Sequence, residues 1–206
     1  MKVNAIRKTY NGRCVLDFPG MDFERGKIYS VIGANGSGKT TFARILSGIE
    51  KDDSKARPAE GLKIGYMPQK SYGFKMSVEK NICLNGKDET KAEELMREFD
   101  IYKLRRKNGA KLSGGETAKM SLCRMMMGTY DIVILDEPCA SMDVESTLCS
   151  EKLIRKYCEQ TNCALILITH SMRQAKELSD EILFFSDGKL EPIDSAKGKA
   201  FVEYLG

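Results

Sequence analysis

The strongest constraint on the fold is a run of eight residues, Gly33-Ala34-Asn35-Gly36-Ser37-Gly38-Lys39-Thr40, which fits the pattern G-x-x-x-x-G-K-[ST]. Glycines at these positions let successive backbone N–H groups turn inward, and a nest of that kind holds phosphates. Lys39 is placed to reach the β- and γ-phosphates, and the Thr40 hydroxyl to ligate Mg²⁺. The flanks give the pattern its context. Lys27–Ile32 reads as a strand, and Thr40–Ser47 reads as a helix stopped by Gly48. Strand, glycine loop and helix in that order predict a P-loop, and with it an ATP or GTP site inside an α/β fold. The expected nucleotide contacts are Gly33, Ala34, Asn35, Gly36, Ser37, Gly38, Lys39, Thr40 and Thr41. When no phosphate is bound, the Lys39 ammonium is expected to lie in solvent.

Two further constellations carry chemistry. Ile132-Val133-Ile134-Leu135 is an apolar run without alternation, as in a strand buried on both faces of a parallel sheet, and it ends in Asp136-Glu137-Pro138. Open α/β sheets bind ligands at the carboxyl ends of their strands. There Asp136 would hold Mg²⁺ with Thr40, and Glu137 would be free to orient or deprotonate an attacking water. The third constellation is Leu112-Ser113-Gly114-Gly115-Glu116. Ser113 and the N–H groups of Gly114 and Gly115 open a helix from Glu116 onward, whose N-terminus favours anions, so the chain has a second phosphate site. His170, the single histidine, follows the apolar run Ala164–Ile168 and is either unremarkable or a γ-phosphate contact.

Length and composition bound the rest. The 206 residues suffice for a single domain over 1–206, with room for a small lobe but not for a second independent domain. No apolar run approaches the ~20 residues that cross a bilayer, and the N-terminus lacks the features of a signal peptide, so the expected location is cytoplasmic. A net charge of +4 without a concentrated Lys/Arg stripe argues against a nucleic-acid partner. Seven cysteines form no C-x-x-C pair and read as free thiols, and Met120, Met125, Met126 and Met127 read as core filling. Residues 3–32, broken by Asn11-Gly12, Pro19-Gly20 and Gly26, predict short antiparallel strands ahead of the P-loop. A strand is expected to end near Gln69. Beyond it, Ala92, Leu95, Met96 and Phe99 fall at helical spacing on one face, and a helical lobe is predicted over residues 73–128. The fold class is therefore a P-loop NTPase α/β core with a mainly parallel sheet, an N-terminal antiparallel β layer and a small α-helical lobe.

Together these residues resemble the ATP-binding cassette (ABC) ATPase family over essentially the whole chain. Gly33–Thr40 is similar to its Walker A loop, Gln69 to the Q-loop glutamine, and Leu112–Glu116 to the signature motif. Ile132–Glu137 is similar to the Walker B strand, Ser141-Met142-Asp143 to the D-loop and His170 to the switch histidine, while Tyr10 matches the aromatic residue that stacks on adenine. The resemblance implies ATP and Mg²⁺ as cofactors. Glu137 and His170 would be catalytic, Thr40, Gln69 and Asp136 would surround the metal, and Ser113, Gly114, Gly115 and Glu116 would contact nucleotide. Some positions depart from the pattern: Glu116 stands where glutamine is common, and Cys139 and Ser171 replace a frequent threonine and aspartate.

One P-loop and two phosphate-binding surfaces imply, with this resemblance, a head-to-tail dimer with a second cassette, homomeric or heteromeric, and two ATP molecules between the subunits. Three functions compete. The first is the ATPase subunit of a transporter whose membrane-spanning permease is a separate chain, which would hold this one at the cytoplasmic face. The second, a soluble ABC ATPase acting on nucleic acid or ribosomes, usually needs a coiled-coil insertion or two fused cassettes. The third, a P-loop kinase or GTPase, would leave Gln69, the signature and His170 without a role. Tyr72, Phe74 and Met76, directly after Gln69, read equally as core residues or as a docking surface for the permease.

Overall fold

The computed structural model describes residues 1–205 and, apart from 196, 197 and 203–205, their side chains. Along the chain run β1 (Lys2–Val3), β2 (Ile6–Tyr10), β3 (Arg13–Phe18), β4 (Met21–Asp22), β5 (Ile28–Ile32), α1 (Lys39–Leu46) and β6 (Ile64–Met67). They are followed by α2 (Val78–Ile82), α3 (Glu89–Glu98), α4 (Gly114–Met126), β7 (Ile132–Asp136), α5 (Val144–Thr161) and β8 (Ala164–Ile168). The chain closes with α6 (Met172–Leu178), β9 (Glu181–Ser186), β10 (Lys189–Pro192) and α7 (Ala196–Leu205). Two compact units emerge: Met1–Tyr66 with Tyr130–Asp136 and Asn162–Gly206, and Met67–Thr129 with Glu137–Thr161.

The first unit is built on a six-stranded sheet in the order β10-β9-β5-β8-β7-β6. β5 pairs in parallel with β8 and β9, β7 pairs in parallel with β8, and β10 returns antiparallel to β9. Every residue of β5, β7 and β8 is buried. A central parallel strand is covered on both faces, which is why these runs are continuously apolar instead of alternating. In β5, Tyr29 and Val31 join a core built with Phe18, Phe42 and Phe185, while the neighbouring Ile32 packs with Ala175 and Phe184. The rings of Phe18 and Phe42 meet edge to face at 5.1 Å, and burial of Phe42, Ala43, Ile45 and Leu46 lays α1 against this core. The antiparallel layer forms as expected, β1 on β4 and β2 on β3. The strand expected to end near Gln69 ends at Met67, where Pro68 has no N–H to donate to a ladder.

The second unit is helical. Ala92, Leu95 and Met96 of α3 and Phe99 just beyond it are all buried, the face their spacing predicts, and Met120, Met125, Met126 and Met127 are buried as core filling. Asp88 caps α3, its side chain accepting from the Lys91 N–H at 3.0 Å. Fully buried Asn81 ties the preceding loop: its carbonyl oxygen accepts from Phe74 N–H at 2.8 Å, and its amide donates to Phe74, Met76 and Ser77 carbonyls at 3.0–3.2 Å. The proposed lobe at 73–128 lies inside this unit, which also takes in 137–161. None of the seven cysteines is in a disulfide.

Candidate active site

The phosphate loop starts where β5 ends. Gly33 has φ +157°, and a Cβ there would stand 2.3 Å from the Phe185 carbonyl oxygen; Gly38 has φ +109°, and a Cβ there would stand 2.9 Å from that of Val15. Both positions therefore require glycine, for conformation and for close approach. α1 begins directly at Lys39 with Gly38 as N-cap, no side-chain cap and no acidic residue in its first turn. Its first N–H groups thus have no capping side chain, the condition in which a helix N-terminus takes an anion.

Lys39 overturns one expectation. It is only 6% exposed, not solvated, and its ammonium donates to the carbonyls of Gly33 and Ala34, each at 2.8 Å, and to Ser37 Oγ at 3.4 Å. A buried charge demands partners, and the carbonyls of its own loop supply them. Asn35, Gly36 and Ala34 lie exposed at the loop tip, and Thr41 is half-buried on α1.

Asp136 is the last residue of β7 and 2% exposed. Thr40 donates its hydroxyl to Asp136 Oδ2 at 3.1 Å, and the Tyr66 hydroxyl lies 3.4 Å from the same oxygen. Burial pushes the Asp136 carboxyl up; Thr40, Tyr66, Lys39 and His170 pull it down without cancelling that effect. A hydroxyl and a carboxylate brought together beside a phosphate loop are hard oxygen donors, and this pair fits Mg²⁺, which keeps waters and phosphate oxygens as its other ligands. His170 stands exposed two residues beyond β8, whose Ile168 pairs with Asp136. Burial and the nearby Lys39 ammonium hold its pKa below the usual 6.5 against the pull of Asp136, so at neutral pH the imidazole is uncharged. Tyr10 ends β2 and is 41% exposed. Tyr66, which meets the Asp136 carboxylate, was not singled out by the sequence reading; the available signal was its place on the strand that ends just before Gln69.

In the second unit, Gln69 and Glu137 line one cleft of about 380 Å³ with Gly114, Thr117 and Ser141. Glu137 has φ +52°, a left-handed conformation that costs a non-glycine residue about 1 kcal/mol or more. Ser113 caps α4, and Glu116 completes a capping box: Glu116 N–H donates to Ser113 Oγ at 3.3 Å and Glu116 Oε2 accepts from Ser113 N–H at 2.8 Å. This gives Glu116 a local task, holding the helix start. Gly114 and Gly115 are needed for close packing, because Cβ atoms there would stand 3.2 Å from Ser141 Cβ and 2.9 Å from Ser141 O. Asp143 in turn caps α5, accepting from Ser146 N–H at 2.7 Å.

The Ser113 N–H bond and the Lys107 ammonium at 3.4 Å outweigh partial burial and hold the Glu116 pKa below the usual 4.5. A carboxylate with a depressed native pKa stabilises the fold above its ordinary range, and that contribution is lost as pH falls through the native value. Glu116→Gln keeps a capping side chain but removes the titration. The stability difference between wild type and variant, read from urea midpoints, should be constant near neutrality and shrink between about pH 5 and about pH 3. A pH-independent difference would mean that the Glu116 charge contributes nothing.

Residues 16–140 match a family model described as ABC transporter. The chain belongs to the ABC transporter family. It is 38% identical over 207 residues to the tungstate uptake system ATP-binding protein TupC of Peptoclostridium acidaminophilum, covering 93% of this chain and 97% of that one. Among solved structures, RNase-L Inhibitor superposes with a TM-score of 0.84 at 24% identity over 99% of this cassette, which spans 42% of that chain. A dimeric post-hydrolysis state of the ATP-binding cassette MJ0796, bound to ADP and Pi, superposes at 0.80 with 19% identity, covering 92% of this chain and 96% of that one. The cassette is an ATPase, the ATP-hydrolysing subunit of an ABC transporter.

Proposed function

We propose that this cassette binds ATP with Mg²⁺ at the interface of a head-to-tail dimer and drives a separate membrane-spanning permease that imports a small inorganic oxyanion. The observation that carries the dimer is the pairing of one P-loop with a second glycine-opened helix, α4. The dimeric ADP- and Pi-bound cassette of the same fold supports it. The solute class rests on the end-to-end relation to TupC, named for tungstate uptake. Among the described residues no helix is long and apolar enough to cross a membrane, which agrees with a permease on another chain.

In this reading the Gly33–Thr41 loop and Lys39 bind the phosphates, Lys39 exchanging its own loop carbonyls for phosphate oxygens, and the Tyr10 ring stacks on adenine. Thr40 and Asp136, with Gln69 as the third residue of this reading, would hold Mg²⁺, which would supply positive charge toward the β- and γ-phosphates. Glu137 takes a proton from the attacking water as the new bond to the γ-phosphorus forms, and the bond to the β-phosphate oxygen breaks with its electron pair leaving on ADP. Neutral His170 donates to a γ-phosphate oxygen. Ser113, Gly114 and Gly115 of the other subunit contact the same phosphate, so its loss releases the dimer.

The permease would dock on Tyr72 and Phe74, which are 56% and 39% exposed with their rings 5.1 Å apart, edge to face. The loop that carries them is stiff. Asn81 holds Phe74, and the Arg124 guanidinium lies 5.8 and 5.6 Å from the two ring centres while donating to the Tyr72 carbonyl at 3.1 Å. Alanine at both positions should weaken retention of the co-expressed permease by about thirtyfold, the effect of losing an aromatic anchor, with basal ATPase activity kept. The measurement is co-purification from detergent-solubilised membranes. Unimpaired retention would reject the docking surface, and a wild type that pellets with ribosomes or nucleic acid and not with the permease would reject the transporter assignment in favour of the soluble alternative.

A further inference from the structure

We propose that Glu50 is a positioning residue for nucleotide binding: it fixes the Tyr10 ring as a ready-made platform for the base. This rests on the reading of Tyr10 as the stacking residue. Tyr10 ends a two-stranded ribbon just before the Asn11-Gly12 turn, whose residues sit at φ +50° and +78°. An aromatic side chain exposed at such a place has several rotamers open to it. Here its hydroxyl donates to Glu50 Oε1. The carboxylate is itself held, Oε1 lying 3.3 Å from Lys8 Nζ and Oε2 3.6 Å from Arg44 Nε. Lys8 Nζ also stands 5.2 Å from the centre of the Tyr10 ring and donates to the Lys51 carbonyl at 2.6 Å.

The backbone around this contact is stapled as well. Asp53 N–H donates to the Arg7 carbonyl at 2.8 Å and Thr9 N–H to Asp53 Oδ1 at 3.3 Å, so residues 50–53 line the edge of β2. The same segment is anchored to α1, because Ile49 and Glu50 N–H groups both donate to the Arg44 carbonyl, at 2.9 and 3.1 Å. One continuous piece of chain therefore begins at the phosphate loop, runs through α1 and ends by holding the ring. The charges support the bond: Glu50 raises the Tyr10 pKa, and although burial pushes the Glu50 carboxyl up, Tyr10 and Lys8 hold it below the usual range. At neutral pH a protonated phenol faces an ionised acceptor. A ring fixed in advance loses less freedom when a base stacks on it, which is where pre-organisation adds affinity.

The test compares ATP with tripolyphosphate, which has the phosphates and no base. Glu50→Ala should raise KM for ATP about three- to tenfold with kcat unchanged, as for the loss of one hydrogen bond, and leave tripolyphosphate affinity as in wild type. Glu50→Gln, which keeps an acceptor oxygen, should recover part of the loss. Tyr10→Phe keeps the ring and drops the tether, so adding Glu50→Ala to it should change ATP affinity no further. Thermal melts of each variant identify any that fail to fold, and Tyr10→Phe, altered only at an exposed hydroxyl, keeps the comparison open if Glu50→Ala is lost. If Tyr10→Ala leaves the ATP-to-tripolyphosphate ratio unchanged, the stacking reading of Tyr10 fails. If Tyr10→Ala weakens ATP alone while Glu50→Ala does not, or weakens both ligands equally, Tyr10 stands and the role of Glu50 is overturned.

Discussion

Glu137→Gln is expected to lower the ATPase kcat by about 10²- to 10⁴-fold, the usual loss when a general base is removed, while ATP still binds. The substitution keeps shape and hydrogen-bonding reach and removes only the proton-accepting charge. It also leaves the backbone problem untouched: position 137 is left-handed at φ +52°, and glutamine carries the same conformational cost as glutamate. The variant is therefore a test of chemistry, separate from folding. Binding without turnover should trap the closed dimer. Size-exclusion chromatography with ATP in EDTA should show the 23.1 kDa chain eluting at twice its mass, and returning to monomer when ATP is washed out. Normal hydrolysis by the variant would move the proton-accepting role to another group, His170 first.

Lys39→Ala should reduce ATP affinity by about a hundredfold or more, since a charge-assisted bond to phosphate is among the stronger polar contacts available to a protein. The structure adds a second effect that the sequence argument did not contain. Because the ammonium bonds two loop carbonyls and Ser37 Oγ, its removal frees those acceptors and loosens the loop. The apo melting temperature should fall modestly, and hydrogen exchange should rise at residues 33–38 first. Titration with a fluorescent ATP analogue and a thermal melt separate the two effects. Wild-type affinity would mean that this loop is not the nucleotide site; weakened affinity with an unchanged melt and unchanged exchange would mean that the buried lysine does not brace the loop.

What was legible in the sequence was short-range. The P-loop declared itself because its glycines are local: each satisfies a backbone angle or a close approach that no other residue fits, and strand and helix flank it at once. The β7 strand was legible because burial on both faces writes an unbroken apolar run, and its end placed Asp136 at the carboxyl edge of the sheet. One local signal was available and passed over. Ser113-x-x-Glu116 has the form of a capping box, and the Glu116 carboxylate accepts from the Ser113 N–H, a task at the helix start that the nucleotide reading did not include.

The sequence by itself determined the fold class, the order of the strands and helices around the phosphate loop and the residue types of the site, because these follow from periodicity, glycine conformation and nearest-neighbour chemistry. Tertiary structure decided who meets whom. Tyr66 reaches Asp136, Glu50 fixes Tyr10, and Lys39 turns from solvent into its own loop, each through packing between segments, or burial within one, that no spacing along the chain encodes. A buried charge must find partners and an exposed ring must be held by something. The sequence states both needs, and only the folded chain brings the groups that meet them within hydrogen-bond reach.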